Sequence, residues 1–192
     1  DPWNNRYIDF ICGLGSISLG YGNNKVVEAV RKAAEKGASH SLPNIQEVET
    51  AEKLQLVVPG LERMRFLKTG NEAAAAAIRI ARAYTGKVKV FSRNFYIQKL
   101  GDDLGELESE ANVAAVIVEA AELDMSDRWK HWLERVRASC DRKGAVMIMD
   151  EIVTGFRVPD FTVSRYWDIK PDIILMGKGI ANGLPLSVVG GK

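Results

Sequence analysis

Two charged side chains stand at positions where they could do chemistry together. Lys178 lies in Met176-Gly177-Lys178-Gly179, just beyond an apolar run, and Asp150 ends another apolar run 28 residues earlier. A lysine at the end of a buried strand can form a Schiff base, and a carboxylate at the end of a neighbouring strand can hold a cationic ring nitrogen. The pair therefore suggests an enzyme that uses pyridoxal phosphate. The simpler interpretation of Lys178 is an exposed lysine in a flexible loop.

The turn Thr69-Gly70-Asn71 is a candidate anion site. It follows a short apolar run and precedes an alanine-rich segment, which predicts a strand that leads into a helix. Free backbone N–H groups and the positive end of the helix dipole at such a start can bind a phosphate. The simpler alternative is an N-cap, in which Thr69 or Asn71 satisfies the helix start and nothing binds.

The acidic pair Asp150-Glu151 needs a cationic partner, because an unpaired charge at a buried strand end would be costly. A protonated pyridine nitrogen is one candidate. An ordinary ion pair with Arg157 or Lys178 is the alternative. A nucleotide hydrolase is not supported, because no G-x-x-x-x-G-K-[ST] motif precedes the pair.

Composition indicates a globular protein and removes several classes of partner. The 192 residues are 46% hydrophobic and 27% charged, with a net charge of +1, so no strong field attracts nucleic acid or an acidic membrane surface. No apolar run approaches the roughly 20 residues of a membrane span, and no secretion signal opens the sequence. We therefore expect a cytoplasmic enzyme without nucleic-acid or membrane partners.

The cysteines and histidines favour neither a disulfide nor a metal site. Cys12 and Cys140 lie far apart and belong to no C-x-x-C pair, so both are expected to be reduced. His40 and His131 have no partner at metal-ligand spacing, so no metal is expected.

Helical and strand patterns alternate along the chain. Helices are predicted at 23–36, 47–58, 72–84 and 127–142, and strands at 64–67, 88–91, 114–118, 145–149 and 172–176. Short, apolar strands alternating with helices predict an α/β fold: a mostly parallel sheet with helices on both faces. Ligands bind outside the carboxyl ends of such strands, so 69–71, Asp150 and Lys178 are expected at one edge.

Three segments resemble motifs of the class III (ornithine-aminotransferase-like) branch of fold-type I pyridoxal phosphate enzymes. They are Thr69-Gly70-Asn71-Glu72, residues 150–157 and residues 177–185. Shorter matches occur in order across nearly the whole chain, including Ile8-Asp9-Phe10 and residues 77–86. Phe156-Arg157 without a following G-R-T-G resembles the glutamate-1-semialdehyde aminomutase side of the family.

The resemblance implies pyridoxal 5'-phosphate as cofactor, a homodimer and an amino-group transfer that uses a small-molecule donor and acceptor. By motif position, Lys178 would form the Schiff base and later move the proton, and Asp150 would pair with the pyridine N–H. Ile152 would pack against the ring. Gly70 and Asn71 would hold the phosphate, although the family usually has Ser or Thr at the position of Asn71.

The sequence departs from the family pattern after the 88–91 strand. The family usually has a G-Y-H-G-like segment there, whose aromatic ring stacks on the cofactor, followed by a long stretch. Here residues 92–98 run almost directly into 101–104, which leaves the stacking role unassigned between Phe95 and Tyr96. Either the loop is deleted, or residues are missing between these segments.

The family pattern also continues beyond the last residue given. The sequence is therefore interpreted as an N-terminal segment, residues 1–60, leading into an incomplete cofactor-binding large domain, residues 61–192, with the C-terminal small domain absent. A catalytically incomplete or silent scaffold is the alternative function. A nicotinamide-binding Rossmann domain is disfavoured, because Gly13-Leu14-Gly15 lacks the third glycine in register.

Overall fold

A seven-stranded sheet forms the centre of the computed structural model, which describes residues 2–37, 39–93, 98–121 and 125–192. The strands lie in the order β1-β7-β6-β5-β4-β2-β3, with β7 antiparallel to both of its neighbours and the other pairs parallel. In chain order they are β1 Arg63–Leu67, β2 Lys89–Ser92, β3 Gln98–Lys99, β4 Val113–Glu119, β5 Val146–Asp150, β6 Ile173–Met176 and β7 Ser187–Gly191.

Helices precede, separate and flank these strands. They are α1 Cys12–Gly15, α2 Asn24–Glu35, α3 Ile45–Val57, α4 Gly70–Thr85, α5 Gly105–Ser109, α6 Asp127–Lys143 and α7 Val163–Tyr166, and a 3₁₀ turn spans Lys178–Ala181. Among the described residues, no helix has both the length and the apolar character needed to cross a bilayer.

The two longest helices cover opposite faces of the sheet. Alanines of α4 pack with one set of alternating strand residues, which includes Ile117 and Ile148. Tryptophans and aliphatic residues of α6 pack with the other set, which includes Val118 and Met149. Because successive side chains of a strand point to opposite faces, fully apolar strands require a helix on each side. The predicted mostly parallel α/β sheet with helices on both faces is confirmed.

The sequence predicted the central strands and the four long helices to within a few residues. It did not predict β3, β7, α1, α5 or α7, and β7 runs antiparallel between β1 and β6. The division at residue 60 stays a prediction. Leu54 and Val58, which precede it, share a buried cluster with Leu61, which follows it.

The α6 interface supplies a test of the fold. Leu133 is fully buried, so Leu133→Ala is expected to lower the free energy of unfolding by about 2–5 kcal/mol, measured by urea denaturation. The matched control is Leu56→Ala, where the side chain is 81% exposed and the expected change is below about 0.5 kcal/mol. Equal losses in both variants would contradict the packing described for α6.

Candidate active site

Asp150 and the segments that follow β1 and β6 meet at one edge of the sheet. In the register of the sheet, Asp150 lies opposite Glu119 of β4 and Leu175 of β6. Ile152 lies between the other two segments: a Cβ at Gly70 would be 2.6 Å from Ile152 Cδ1, and a Cβ at Gly177 would be 3.2 Å from Ile152 Cγ2. Glycine at both positions therefore permits the close approach of three chain segments.

The Asp150 carboxylate is buried without a cationic partner in the described part of the chain. It retains 7% exposure, and its Oδ1 accepts a 2.8 Å hydrogen bond from the Ile152 N–H. The pKa of Asp150 is raised to about 6, mainly by burial and to a smaller extent by the charges of Glu119 and Glu151, while the Ile152 hydrogen bond and the Lys178 charge act to lower it. Neither Arg157 nor Lys178 forms an ion pair with it, so the simpler alternative is not found among the described residues.

Glu151 has a different environment from its neighbour. Its side chain is fully buried, and its two oxygens accept hydrogen bonds from Ser164 N–H at 2.7 Å, Val163 N–H at 3.1 Å and the Thr154 hydroxyl. Burial raises the pKa of Glu151, while these hydrogen bonds lower it. Glu151 thus joins the end of β5 to the start of α7 and leaves Asp150 at the sheet edge.

The start of α4 bears on both interpretations of the 69–71 turn, the anion site and the N-cap. Thr69 is the N-cap, since its Oγ1 accepts from Glu72 N–H at 3.3 Å, and Glu72 Oε2 accepts from Thr69 N–H at 2.8 Å. This capping box satisfies the third N–H of the helix. In the described part of the chain, the N–H groups of Gly70 and Asn71 have no acceptor. The cap therefore leaves two backbone N–H donors free at this turn, and the anion site predicted there stays a prediction.

The backbone of Lys178 adopts an uncommon conformation. Its φ is +44°, in the left-handed region, which costs a non-glycine residue on the order of 1 kcal/mol. The residue is half-buried, and Gly177 before it is buried. Residues 177–183, here called the lysine turn, therefore depend on surrounding contacts to keep this conformation.

Three further expectations concern a stacking aromatic residue, a metal site and the two cysteines. Phe95 and Tyr96 lie outside the described residues, so the structure says nothing about which of them could stack on a cofactor. Within the described ranges, no group of three or more His, Cys, Asp or Glu side chains is arranged to hold a metal ion. Cys12 and Cys140 are free thiols.

Comparisons with known proteins match this chain over nearly its whole length. The family model described as aminotransferase class-III matches residues 1–101 and 95–192. The glutamate-1-semialdehyde 2,1-aminomutase of Syntrophobacter fumaroxidans is 33% identical over 100% of this chain and 54% of its own length. That of Symbiobacterium thermophilum is 34% identical over 98% of this chain and 53% of its own length. The chain thus spans about half the length of the curated relatives it matches.

Solved structures give the same architecture. A structure described as a transaminase with PLP bound has a TM-score of 0.81 and 26% identity, covering 96% of this chain and 53% of its own. Toxoplasma gondii ornithine aminotransferase has a TM-score of 0.84 and 26% identity, covering 100% of this chain and 56% of its own.

The β2–β3 connection differs from the relatives. The two parts of the family match overlap at residues 95–101, and the alignment with the Syntrophobacter relative spans 234 positions against a chain of 192 residues. β2 and β3 are parallel but are separated only by residues 93–97, whereas a parallel connection usually needs a dozen or more. The relatives therefore carry residues that this sequence lacks, and the break in the match lies at this connection.

The raised pKa of Asp150 predicts a pH dependence of stability without added cofactor. Between about pH 4 and 6, the folded chain keeps this carboxyl protonated while the unfolded chain ionises it, so raising the pH destabilises the fold. Relative to Asp150→Asn, the wild type is expected to lose about 2–3 kcal/mol of unfolding free energy between pH 4 and 7. Urea denaturation at several pH values measures this difference. Parallel pH curves for the two proteins would contradict the burial described for Asp150.

Proposed function

Because the chain belongs to the class-III aminotransferase family, we propose that it carries the cofactor-binding large domain of an enzyme that moves amino groups with pyridoxal 5'-phosphate. The proposed large domain is residues 61–192, preceded by the segment 1–60. The names of the relatives above 30% identity favour an aminomutase acting on a small amino compound. An aminotransferase with separate amino donor and acceptor is the second candidate.

The observation that carries this proposal is the buried Asp150 carboxylate, which forms no ion pair with any of the described residues. A protonated pyridine nitrogen suits this carboxylate, because it carries a positive charge and offers one N–H to one carboxylate oxygen. The Ile152 N–H already holds Oδ1, which orients the carboxylate. The residues present therefore fit the group, and Asp150 would keep the ring nitrogen protonated.

The start of α4 fits the other end of the same ligand. The N–H groups of Gly70 and Asn71 have no acceptor among the described residues, and they belong to the positive end of a 16-residue helix. Ser187 Oγ donates to Thr69 O at 2.7 Å and ties this turn to β7. We assign Gly70 and Asn71 to the phosphate.

Lys178 and Ile152 would complete the cofactor site. When bound, pyridoxal phosphate supplies an aldehyde carbon and a ring that withdraws electrons. Lys178 Nζ would hold that carbon as a Schiff base, and its free amine would move a proton to or from the substrate carbon that bears the amino group. Ile152 would press on one face of the ring, since its side chain lies between Gly70 and Gly177.

A silent scaffold is the less favoured function, because the matched relatives carry the names of enzymes that move amino groups. We further propose a cytoplasmic homodimer. Apolar side chains near the N-terminus are widely exposed on the single chain, with Ile8 at 82% and Phe10 at 89%, as suits a surface covered by a second copy.

A covalent trapping experiment tests the role of Lys178. Pyridoxal phosphate added to the wild type is expected to give an absorbance band, and borohydride should fix the cofactor on the peptide that contains Lys178, as detected by mass spectrometry. Lys178→Ala should give no band. The matched control is Lys170→Ala, an exposed lysine at the opposite edge of the sheet, which should behave as the wild type. A band that persists in Lys178→Ala would rule out the assignment.

The phosphate assignment can be tested by removing one N–H group. Gly70→Pro deletes the donor at the first helical position, where proline is tolerated, and Thr69 before it is already extended. Gly70→Ala is the control, because it brings the same Cβ, with the same crowding of Ile152, but keeps the N–H. The affinity for pyridoxal phosphate is expected to be about tenfold lower in the proline variant than in the alanine variant. The affinity for pyridoxal, which lacks the phosphate, should be equal in both; an equal loss for both ligands would contradict the assignment.

A further inference from the structure

The lysine turn is fastened to a segment near the N-terminus. Asn182 Oδ1 accepts a 2.8 Å hydrogen bond from Leu19 N–H, and Asn182 Nδ2 donates to Gly20 O at 3.2 Å. One amide side chain thus binds the backbone of two consecutive residues that lie more than 160 positions away in sequence. Such a paired donor and acceptor fixes orientation as well as distance.

Packing between the same two segments is close. A Cβ at Gly179 would lie 2.9 Å from Ser18 Oγ, and a Cβ at Gly183 would lie 2.3 Å from Ile17 Cδ1. Arg157 adds a bridge, since its Nη2 donates to Ser18 Oγ at 3.3 Å while its Nη1 donates to Val153 O. Residues 17–20 therefore lie directly against the lysine turn.

The conformation of the turn needs such support. Lys178 at φ +44° and Asn182 at φ +49° are both left-handed, and they bound the 3₁₀ turn. Asparagine tolerates this region, but lysine does so at a cost. Besides the bonds inside the 3₁₀ turn, two backbone bonds join it to its flanking residues: Ile180 N–H to Gly177 O and Leu184 N–H to Ala181 O, both at 3.1 Å. The Asn182 bonds join this strained turn to the rest of the molecule.

We propose that Asn182 is a positioning residue for Lys178: by binding the backbone of Leu19 and Gly20, it holds the lysine turn so that the Lys178 amine stays at the sheet edge near Asp150. This inference rests on the proposed function of Lys178. It also makes residues 17–20 part of the support of the site, although they contribute no group to the chemistry.

Two substitutions separate the hydrogen bonds from the local backbone. Asn182→Gly keeps the left-handed conformation, which glycine favours, and removes both bonds. Asn182→Asp keeps the acceptor for Leu19 N–H and places a carboxylate oxygen against Gly20 O instead of a donor. The matched control is Asn112→Gly, because Asn112 Oδ1 also accepts from a distant backbone N–H, that of Val88, at the opposite edge of the sheet.

Hydrogen exchange measures the contact directly, with and without added pyridoxal phosphate. The Leu19 amide is expected to exchange about fivefold to tenfold faster in Asn182→Gly than in the wild type, and to remain protected in Asn182→Asp. Asn112→Gly should leave it unchanged. An unchanged Leu19 amide in Asn182→Gly would overturn the proposed contact.

Cofactor absorbance measures the consequence for Lys178. In Asn182→Gly the apparent dissociation constant for pyridoxal phosphate is expected to rise about tenfold, and the pH midpoint of the Lys178-dependent band to move by about half a unit or more. Asn182→Asp should also bind more weakly, which keeps the test decisive if the glycine variant fails to fold.

The two proposals fail in different ways. A wild-type band that depends on Lys178 but has the same affinity and pH midpoint in both Asn182 variants overturns the positioning role alone. A wild type without any Lys178-dependent band overturns the proposed function, and the positioning role with it, whatever the exchange of the Leu19 amide.

Discussion

The buried carboxylate of Asp150 is the constraint on which the candidate site depends. Register with β4 and β6 holds it at the end of a central strand, and burial there raises its pKa to about 6. As an anion it destabilises the fold, because no cation within the described residues pairs with it. A ligand that brings a positive charge would offset this penalty, so the same burial that weakens the chain alone favours a bound cationic ring. The other groups of the candidate site lie around this carboxylate.

Local sequence patterns predicted the parts that position this carboxylate. Short runs of apolar residues such as 114–118 and 145–149 favour a strand buried on both faces, and the alanine-rich segment 72–84 strongly favours a helix. Once these elements alternate, parallel pairing brings the ends of their strands to a common edge. The position of Asp150 and the segment that carries Lys178 could therefore be predicted without coordinates, since both follow from the ends of such runs.

What the sequence did not predict depends on contacts between distant segments. Residue type alone does not show how Asp150 and Glu151 differ, but their environments do differ, because Glu151 accepts hydrogen bonds from Ser164 and Val163 of α7. In the sequence Asn182 is typical of a turn residue, and its hydrogen bond with the distant Leu19 N–H is visible only in the structure. β7 was not predicted either, because Ser187-Val188-Val189-Gly190-Gly191 has too few β-branched residues for a strand pattern. This segment is a strand because it pairs with β1 on one side and β6 on the other.

The start of the β2–β3 connection packs against α6. Arg93, directly after β2, places its guanidinium over the stacked rings of Trp129 and Trp132, at 4.9 and 5.0 Å from their centroids, and pairs with Asp102. These contacts anchor the connection to α6, on the face opposite α4. The strand β4 separates β2 from β5, while the turn at the start of α4 and the lysine turn follow β1 and β6 on the other side. The described neighbours of Asp150 are β4, β6 and the Ile152 N–H, so its support does not involve Arg93 at the start of this connection.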